Sequence, residues 1–104
     1  MANNEKALRL LGLALHARRL EAGEEPVVIL CRSGKARLVL LASDAGEHTL
    51  RRAENLCRGK NTPLLVAPVT KDELGSALGC NACALCALSD TGFAVSLLPA
   101  MEDC

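Results

Sequence analysis

Arg32-Ser33-Gly34-Lys35-Ala36-Arg37-Leu38-Val39-Leu40-Leu41-Ala42-Ser43-Asp44-Ala45 is the stretch whose reading decides the fold. It spells a helix stop, a buried strand and a new helix start. Gly34 suits the left-handed position that follows a helix. Leu38 to Ala42 is an unbroken apolar run, the pattern of a strand covered on both faces. Ser43 and Asp44 then offer side-chain oxygens to cap the helix that follows. Arg32, Lys35 and Arg37 gather positive charge at the first junction, a corner suited to an anionic partner.

Upstream, the segment Glu24 to Ser33 is locally ambiguous. Val27-Val28-Ile29-Leu30 favours a strand by β-propensity. Acids at its start, Pro26 in its first turn and Gly34 at its stop favour a helix, which also agrees with the strand that follows. Before it, Leu20 to Ala22 suits a short strand ending at Gly23. Earlier still, Asn4 is placed to cap a helix in which Ala7, Leu8, Leu11, Ala14 and Leu15 form an apolar stripe. His16, Arg18 and Arg19 make the end of that helix basic, as its dipole favours.

Downstream, a third helix is expected from about Asp44 to Arg58, with Leu50, Ala53, Leu56 and Cys57 inward and Gly59 at its end. Pro63 to Val69 reads as a strand near a sheet edge, closed by Pro68. Thr70 and Glu73 have capping-box spacing at the head of a helix over Lys71 to Leu78. Cys83 to Ser89 reads as a fourth strand, and Asp90 or Thr91 begins a last helix through Phe93 to Leu98. Strands alternating with helices predict an α/β sandwich formed as one domain over residues 1–104.

The 104 residues are half hydrophobic, yet Phe93 is their one aromatic, so Leu, Val and Ala must fill the core. No run of eighteen apolar residues suggests a membrane span, and Met1 to Lys6 lacks the build of a secretory signal. The expectation is a soluble, cytoplasmic domain. Net charge is zero, but residues 1–60 carry eleven Lys or Arg against seven acids, while residues 61–104 carry Lys71 against five acids. Such asymmetry is a hint of nucleic-acid binding through the basic part, and is equally the pattern of ordinary solvated helix faces. The neutral total predicts weak non-specific affinity for nucleic acid, since that affinity scales with phosphates neutralised.

Six cysteines in a small secreted chain would suggest three disulfides. In a cytoplasmic one they are expected as thiols. Cys31 and Cys57 fall on apolar helix faces, and Cys104 is expected to be exposed and open to intermolecular oxidation. Cys80-x-x-Cys83-x-x-Cys86 has the spacing that opens an iron–sulfur motif, but the fourth Cys followed by Pro is missing. Cys86, in a strand, is expected to face away from Cys83. The set reads as packing rather than as a metal site, and no cofactor is implied. His16 and His48 sit among charged neighbours, Asp44 and Asp90 read as helix caps, and no nucleophile elbow, phosphate loop or dinucleotide fingerprint occurs. No catalysis and no small-molecule substrate are expected.

With these elements placed, the chain resembles the bacterial branch of the ribosomal L7Ae/L30e family, which binds kink-turn RNA. The resemblance runs from Leu10-Leu11-Gly12-Leu13-Ala14 through Gly23-Glu24-Glu25, Arg32-Ser33-Gly34-Lys35-Ala36 and the strand Leu38 to Ala45. It continues through Asn61-Thr62-Pro63 and Glu73-Leu74-Gly75 to Asp90-Thr91-Gly92-Phe93-Ala94. It implies a three-layer α-β-α sandwich with a four-stranded mixed sheet. It also implies an RNA site at the start of the second helix (Gly23, Glu24, Glu25, with Ile29, Arg32 and Lys35 further along). The site's second wall is the loop Gly79, Cys80, Asn81 and Ala82. Helix N-termini suit phosphates, and scarcity of aromatics fits a reader that does not stack unpaired bases. Against the family pattern, an Asn-Glu pair falls on Glu25-Pro26 and a Lys falls on Ile29. Glu25 accepts but cannot donate as Asn would. The partner implied is structured RNA of the kink-turn kind, ribosomal RNA included, bound by a monomer. The alternatives are a family fold turned to protein interaction, and a thiolate metal module.

Overall fold

A computed structural model of the chain describes residues 2–102, with side chains described from residue 5 to residue 100. Helices and strands follow one another as α1 (Ala2–His16), β1 (Leu20–Ala22), α2 (Glu24–Arg32), β2 (Leu38–Leu41), α3 (Glu47–Lys60), β3 (Leu64–Val66), α4 (Lys71–Leu78), β4 (Leu85–Leu88) and α5 (Thr91–Glu102). The ambiguous second segment is a helix. It closes with Gly34 at φ 79°, where the N–H of Gly34 reaches the carbonyl of Cys31 and that of Lys35 reaches Leu30. That pair of bonds is the Schellman stop the glycine foretold.

The four strands lie in the order β1-β4-β2-β3. β4 runs antiparallel to both β1 and β2, and β2 runs parallel to β3. Side chains alternate strictly across the two central strands. Leu38, Leu40, Cys86 and Leu88 point to one face, where Ala7, Leu11 and Ala14 of α1, Leu74 and Leu78 of α4, and Ala94, Leu97 and Ala100 of α5 cover them. Val39, Leu41, Leu85 and Ala87 point to the other, under Val27 and Cys31 of α2 and Ala53 and Cys57 of α3. The result is a three-layer α-β-α sandwich with a four-stranded mixed sheet. Both apolar runs are strands buried on two faces, each full Leu burial adding about 1.5–3 kcal/mol.

Several boundaries differ from the sequence reading, each for a local reason. α1 begins at Ala2, so Asn4 lies within it rather than capping it. α3 begins at Glu47 after Gly46 and runs through Gly59 to Lys60, because Asn61 takes the left-handed stop at φ 56°. β3 and β4 are shorter than their apolar runs, Cys83 and Ala84 belonging to the loop before β4. Cys83 therefore escapes the alternation rule, and it packs in the same cluster as Cys86 instead of facing away from it. α5 runs past Leu98 to Glu102, with Pro99 inside it. Cys104 lies outside the described residues.

Two caps formed as read and one was redirected. Thr70 Oγ1 accepts from the N–H of Glu73 (3.1 Å) while the Glu73 carboxylate accepts from that of Thr70 (2.9 Å), a complete capping box. Asp90 Oδ1 accepts from Gly92 (2.6 Å) and Phe93 (3.3 Å) at the head of α5. Asp44 caps α4, not α3: its carboxylate accepts from the N–H of Lys71 at 2.8 Å. Parallel pairing of β2 and β3 is the cause, since it sets the chain leaving β2 beside the chain leaving β3, and the N–H of Ser43 binds the carbonyl of Val69. Among the described residues no polar side chain is buried without a partner, and no helix is long and apolar enough to cross a membrane.

Candidate nucleic-acid interface

Antiparallel pairing decides which loops meet. Ala22 at the end of β1 stands opposite Cys86 near the start of β4, so Gly23 comes opposite Leu85 and donates its N–H to that carbonyl at 2.9 Å. The start of α2 and the loop entering β4 are thereby brought to one end of the sheet. Between them lies a cleft of about 370 Å³ lined by Ala22, Gly23, Glu24, Thr49, Cys80, Ala82, Cys83, Ala84 and Leu85. Four of the residues singled out from sequence, Gly23, Glu24, Cys80 and Ala82, share it.

Gly23 precedes α2 at φ 100° and ψ 160°, a conformation essentially reserved for glycine. With no side chain to cap it, the first turn of α2 presents its backbone N–H groups outward, apart from Pro26, which has none. Glu24 and Glu25 lie in that first turn and favour its dipole. The Glu24 carboxylate also meets the Arg52 guanidinium of α3 at 2.7 Å, both side chains about half exposed. Arg52 is thus the cation at the mouth of the cleft. Sequence reading missed it, because nothing in the local pattern of α3 distinguishes it from Arg51, whose guanidinium pairs instead with Glu47 of its own helix at 2.8 Å.

The opposite wall is held by backbone. Gly79 closes α4 in the left-handed conformation at φ 79°. The N–H of Cys80 returns to the carbonyl of Gly75 (2.8 Å), and that of Cys83 to Lys71 (3.0 Å). Cys80, Asn81 and Ala82 are exposed along the wall. Gly75, buried in α4, is the hidden support: a Cβ there would stand 2.7 Å from Ala82 Cα and 2.8 Å from its nitrogen. The loop can lie against α4 only because position 75 has no side chain. Glu73-Leu74-Gly75 was legible as a family marker, but its part in shaping this wall was not.

The remaining residues lie further along α2. Glu25, Ile29 and Arg32, at spacings of four and three, share one exposed stripe. Ile29 is 69% exposed, where an apolar side chain of that size is normally covered. With Pro26, Leu30, Ser33, Lys35 and Glu21 it lines a separate depression of about 390 Å³. Arg32 stands in the last turn of α2, about 12 Å from Glu24 at the helical rise of about 1.5 Å per residue. Lys35 and Arg37 follow at that far end, where the N–H of Arg37 binds the carbonyl of Leu88 and that of Ser89 binds Arg19. The basic trio is therefore at the opposite end of the sheet from Gly23.

The thiols divide by burial. Burial, with the neighbouring Cys31, pushes the Cys57 thiol up to about 11, and burial alone raises that of Cys31. Cys86, wholly enclosed, is raised much further by burial and then by Cys83. Cys83 is raised mainly by burial, against the Leu85 and Gly23 backbones, which lower it, and its Sγ donates to the Leu85 carbonyl at 3.1 Å. Cys80 is exposed. Among the described residues no group of three or more His, Cys, Asp or Glu side chains is arranged to hold a metal ion.

Similar proteins match this chain over about half to nearly all of its length. RNA-binding protein YlxQ of Bacillus subtilis (strain 168) is 33% identical over 93 residues, covering 89% of this chain and 92% of that protein. The protein of the same name from Enterococcus faecium is 40% identical over 53 residues, about half of each chain. A solved structure of a protein of unknown function from Bacillus halodurans C superposes with a TM-score of 0.85 at 37% identity, covering 93% of this chain and 97% of that one. The Giardia lamblia 15.5kD RNA binding protein, at 17% identity, matches the fold with a TM-score of 0.76 over 99% of this chain and 88% of its own. The family model of the Ribosomal protein L7Ae/L30e/S12e/Gadd45 family matches residues 5–97, and the chain belongs to that family.

Proposed function

We propose that this chain is a non-catalytic RNA-binding domain that recognises kinked, structured RNA of the kink-turn class, as a ribosome-associated monomer in the cytoplasm. The observation that carries this reading is the cleft where Gly23 and Glu24 face Cys80 and Ala82 across about 370 Å³. Its first wall offers helix N-terminal N–H groups to phosphate. Glu24 and Glu25 supply acceptors for the donor edge of guanine. Arg52, already at the mouth of the cleft, is placed to move from Glu24 to a phosphate oxygen. The second wall is small and weakly polar, a surface that covers an extruded base without demanding its identity. Membership of the family and the name carried by the Bacillus and Enterococcus relatives support RNA as the ligand.

The charge around the cleft is modest, so affinity must come from shape more than from phosphate count, and its salt dependence is expected to be shallow. The deciding experiment titrates reduced protein with a kink-turn RNA and with a matched duplex lacking the bulge, at physiological salt. Selective tight binding to the kinked RNA is the expected result. Equal, weak binding to both would overturn the reading. It would favour instead a protein-interaction domain, for which the exposed Ile29 beside Pro26 and Leu30 is the specific observation.

A further inference from the structure

Two thiols in the wall of the cleft stand on one short loop that the backbone anchors at both ends. Cys80 is exposed, Cys83 is buried, and both line the same cleft. The Cys80 thiol is near enough to that of Cys83 to push it up, with two residues, Asn81 and Ala82, between them. The backbone on either side is tied down, Cys80 N–H to Gly75 and Cys83 N–H to Lys71, so the loop that carries both thiols is held by the fold. The Gly23 backbone, on the facing wall, is close enough to Cys83 to act on its thiol as well. The other described cysteines, Cys31, Cys57 and Cys86, are buried and closed to a bulky reagent.

We propose that Cys80 and Cys83 form a thiol–disulfide couple, a modification site for small disulfides of the glutathione class, whose oxidation reshapes the wall of the cleft. Cys80, the accessible sulfur, attacks as thiolate on one sulfur of glutathione disulfide. The S–S bond breaks, one glutathione leaves as thiolate, and a mixed disulfide stands at Cys80. Cys83, now as thiolate, attacks Cys80 Sγ and expels the second glutathione, closing an intrachain disulfide. Two electrons pass from the protein dithiol to the glutathione disulfide, and the two thiol protons end on the two glutathione thiols. The second step is intramolecular, between thiols two residues apart on one anchored loop, which favours it over escape of the adduct. Closure takes Cys83 Sγ from the Leu85 carbonyl and Cys80 Sγ from that of Ala82, pulling on Asn81 and Ala82 between. The couple stands on the thiol geometry alone, while its effect on binding rests on the RNA reading.

The test equilibrates the full chain, carrying Cys104→Ser to remove the terminal thiol, in buffers of stepped reduced-to-oxidised glutathione ratio. Acid quenching, alkylation of thiols before and after reduction with two different reagents, and fragmentation of the intact protein then locate each oxidised cysteine. The expected product has Cys80 and Cys83 oxidised together and a mass lower by two hydrogens, with no glutathione attached. The Cys83→Ser variant should stop at a glutathione adduct on Cys80. A persistent adduct in the parent, a bond between two copies, pairing with Cys86, or no oxidation over the whole range would each overturn the couple. In a second arm the reduced and oxidised forms are titrated with kink-turn RNA, and oxidation is expected to weaken binding about five-fold or more. Equal affinity of the two forms would overturn the link to the cleft. Failure of the reduced form to bind would count against the RNA reading, leaving the couple to the mapping.

Discussion

The two ends of α2 are both marked by glycine, and they are built in opposite ways. At the Gly34 end the stop is local: two backbone bonds within one turn close the helix, and the basic residues follow in sequence. At the Gly23 end almost nothing is local. The carbonyl partner comes from β4, the cation from α3, and the facing wall from the loop after α4. The comparison teaches that the end richest in positive charge is not the end where walls from distant parts of the chain face each other across a cleft. Charge clustered in sequence is easily noticed, whereas a recess needs elements brought together by the sheet.

The largest test of that contrast strikes the wall from behind. Gly75→Ala puts a methyl group into the backbone of Ala82, so either α4 or the loop must shift. Destabilisation of about 1–3 kcal/mol is expected from such overpacking. It should be visible in urea melts, with loss of at least about ten-fold in kink-turn affinity under folding conditions, an effect of about 1.4 kcal/mol or more from binding groups misplaced together. Normal affinity would mean the wall is not part of the site.

Exchanging alanine into the two helix-end glycines sharpens the contrast directly. Gly23→Ala forces an L-residue into a region costing about 1–3 kcal/mol, and it should impair both stability and RNA binding. Gly34→Ala meets the left-handed penalty of about 1–2 kcal/mol, and should lower the melting temperature while leaving RNA affinity within about two-fold, less than the roughly 0.4 kcal/mol that two-fold represents. Equal losses of binding in both variants would break the distinction between the ends.

A smaller effect is expected along the stripe that connects them. Ile29→Lys restores a cation in the middle of the exposed face and should tighten binding a few-fold. It should also steepen the salt dependence by about one added phosphate contact. Arg32→Ala should weaken binding by a similar few-fold factor. No change in either variant would confine the RNA to the Gly23 end.

The smallest expected effect concerns the layer beneath α2 and α3 and is read by pH. Cys57 is held near 11 and Cys31 is also raised, so in the unfolded chain these thiols ionise first. Above about pH 9, where a free thiol has lost its proton, the unfolded state binds fewer protons than the folded one, and stability falls as pH rises. The contribution is complete below that pH and declines through about pH 11. Melting temperatures measured from pH 8 to 11 under reducing conditions should fall, and the slope should be shallower in a Cys57→Ala variant. An unchanged slope would assign the fall to other groups.

Where the physics is short-range, the sequence was a sufficient guide. Leu38 to Leu41 reads as a doubly buried strand because both helical layers demand apolar side chains from it. Thr70 with Glu73, Asp90, and Gly34 each complete their bonds within two to five residues, so each was legible by type and spacing. Family membership followed from such markers in register, and it pointed to Gly23 and the loop after Gly79. Asp44 was legible as a cap but not for its helix, and Cys83 was assigned to a strand whose first residue is Leu85.

Composition, periodicity and capping chemistry thus determined that this chain forms alternating helices and strands around an aliphatic core, because those preferences act over one or two turns. The tertiary structure alone decided that Gly23 faces Cys80, that Arg52 joins Glu24, that Gly75 carries Ala82, and that Arg32 and Lys35 lie at the other end. Each of those relations depends on strand order and direction. Within the order β1-β4-β2-β3, the pairing of β1 with β4 joins residues 64 to 68 positions apart, and no local preference encodes which of the loops it will bring together.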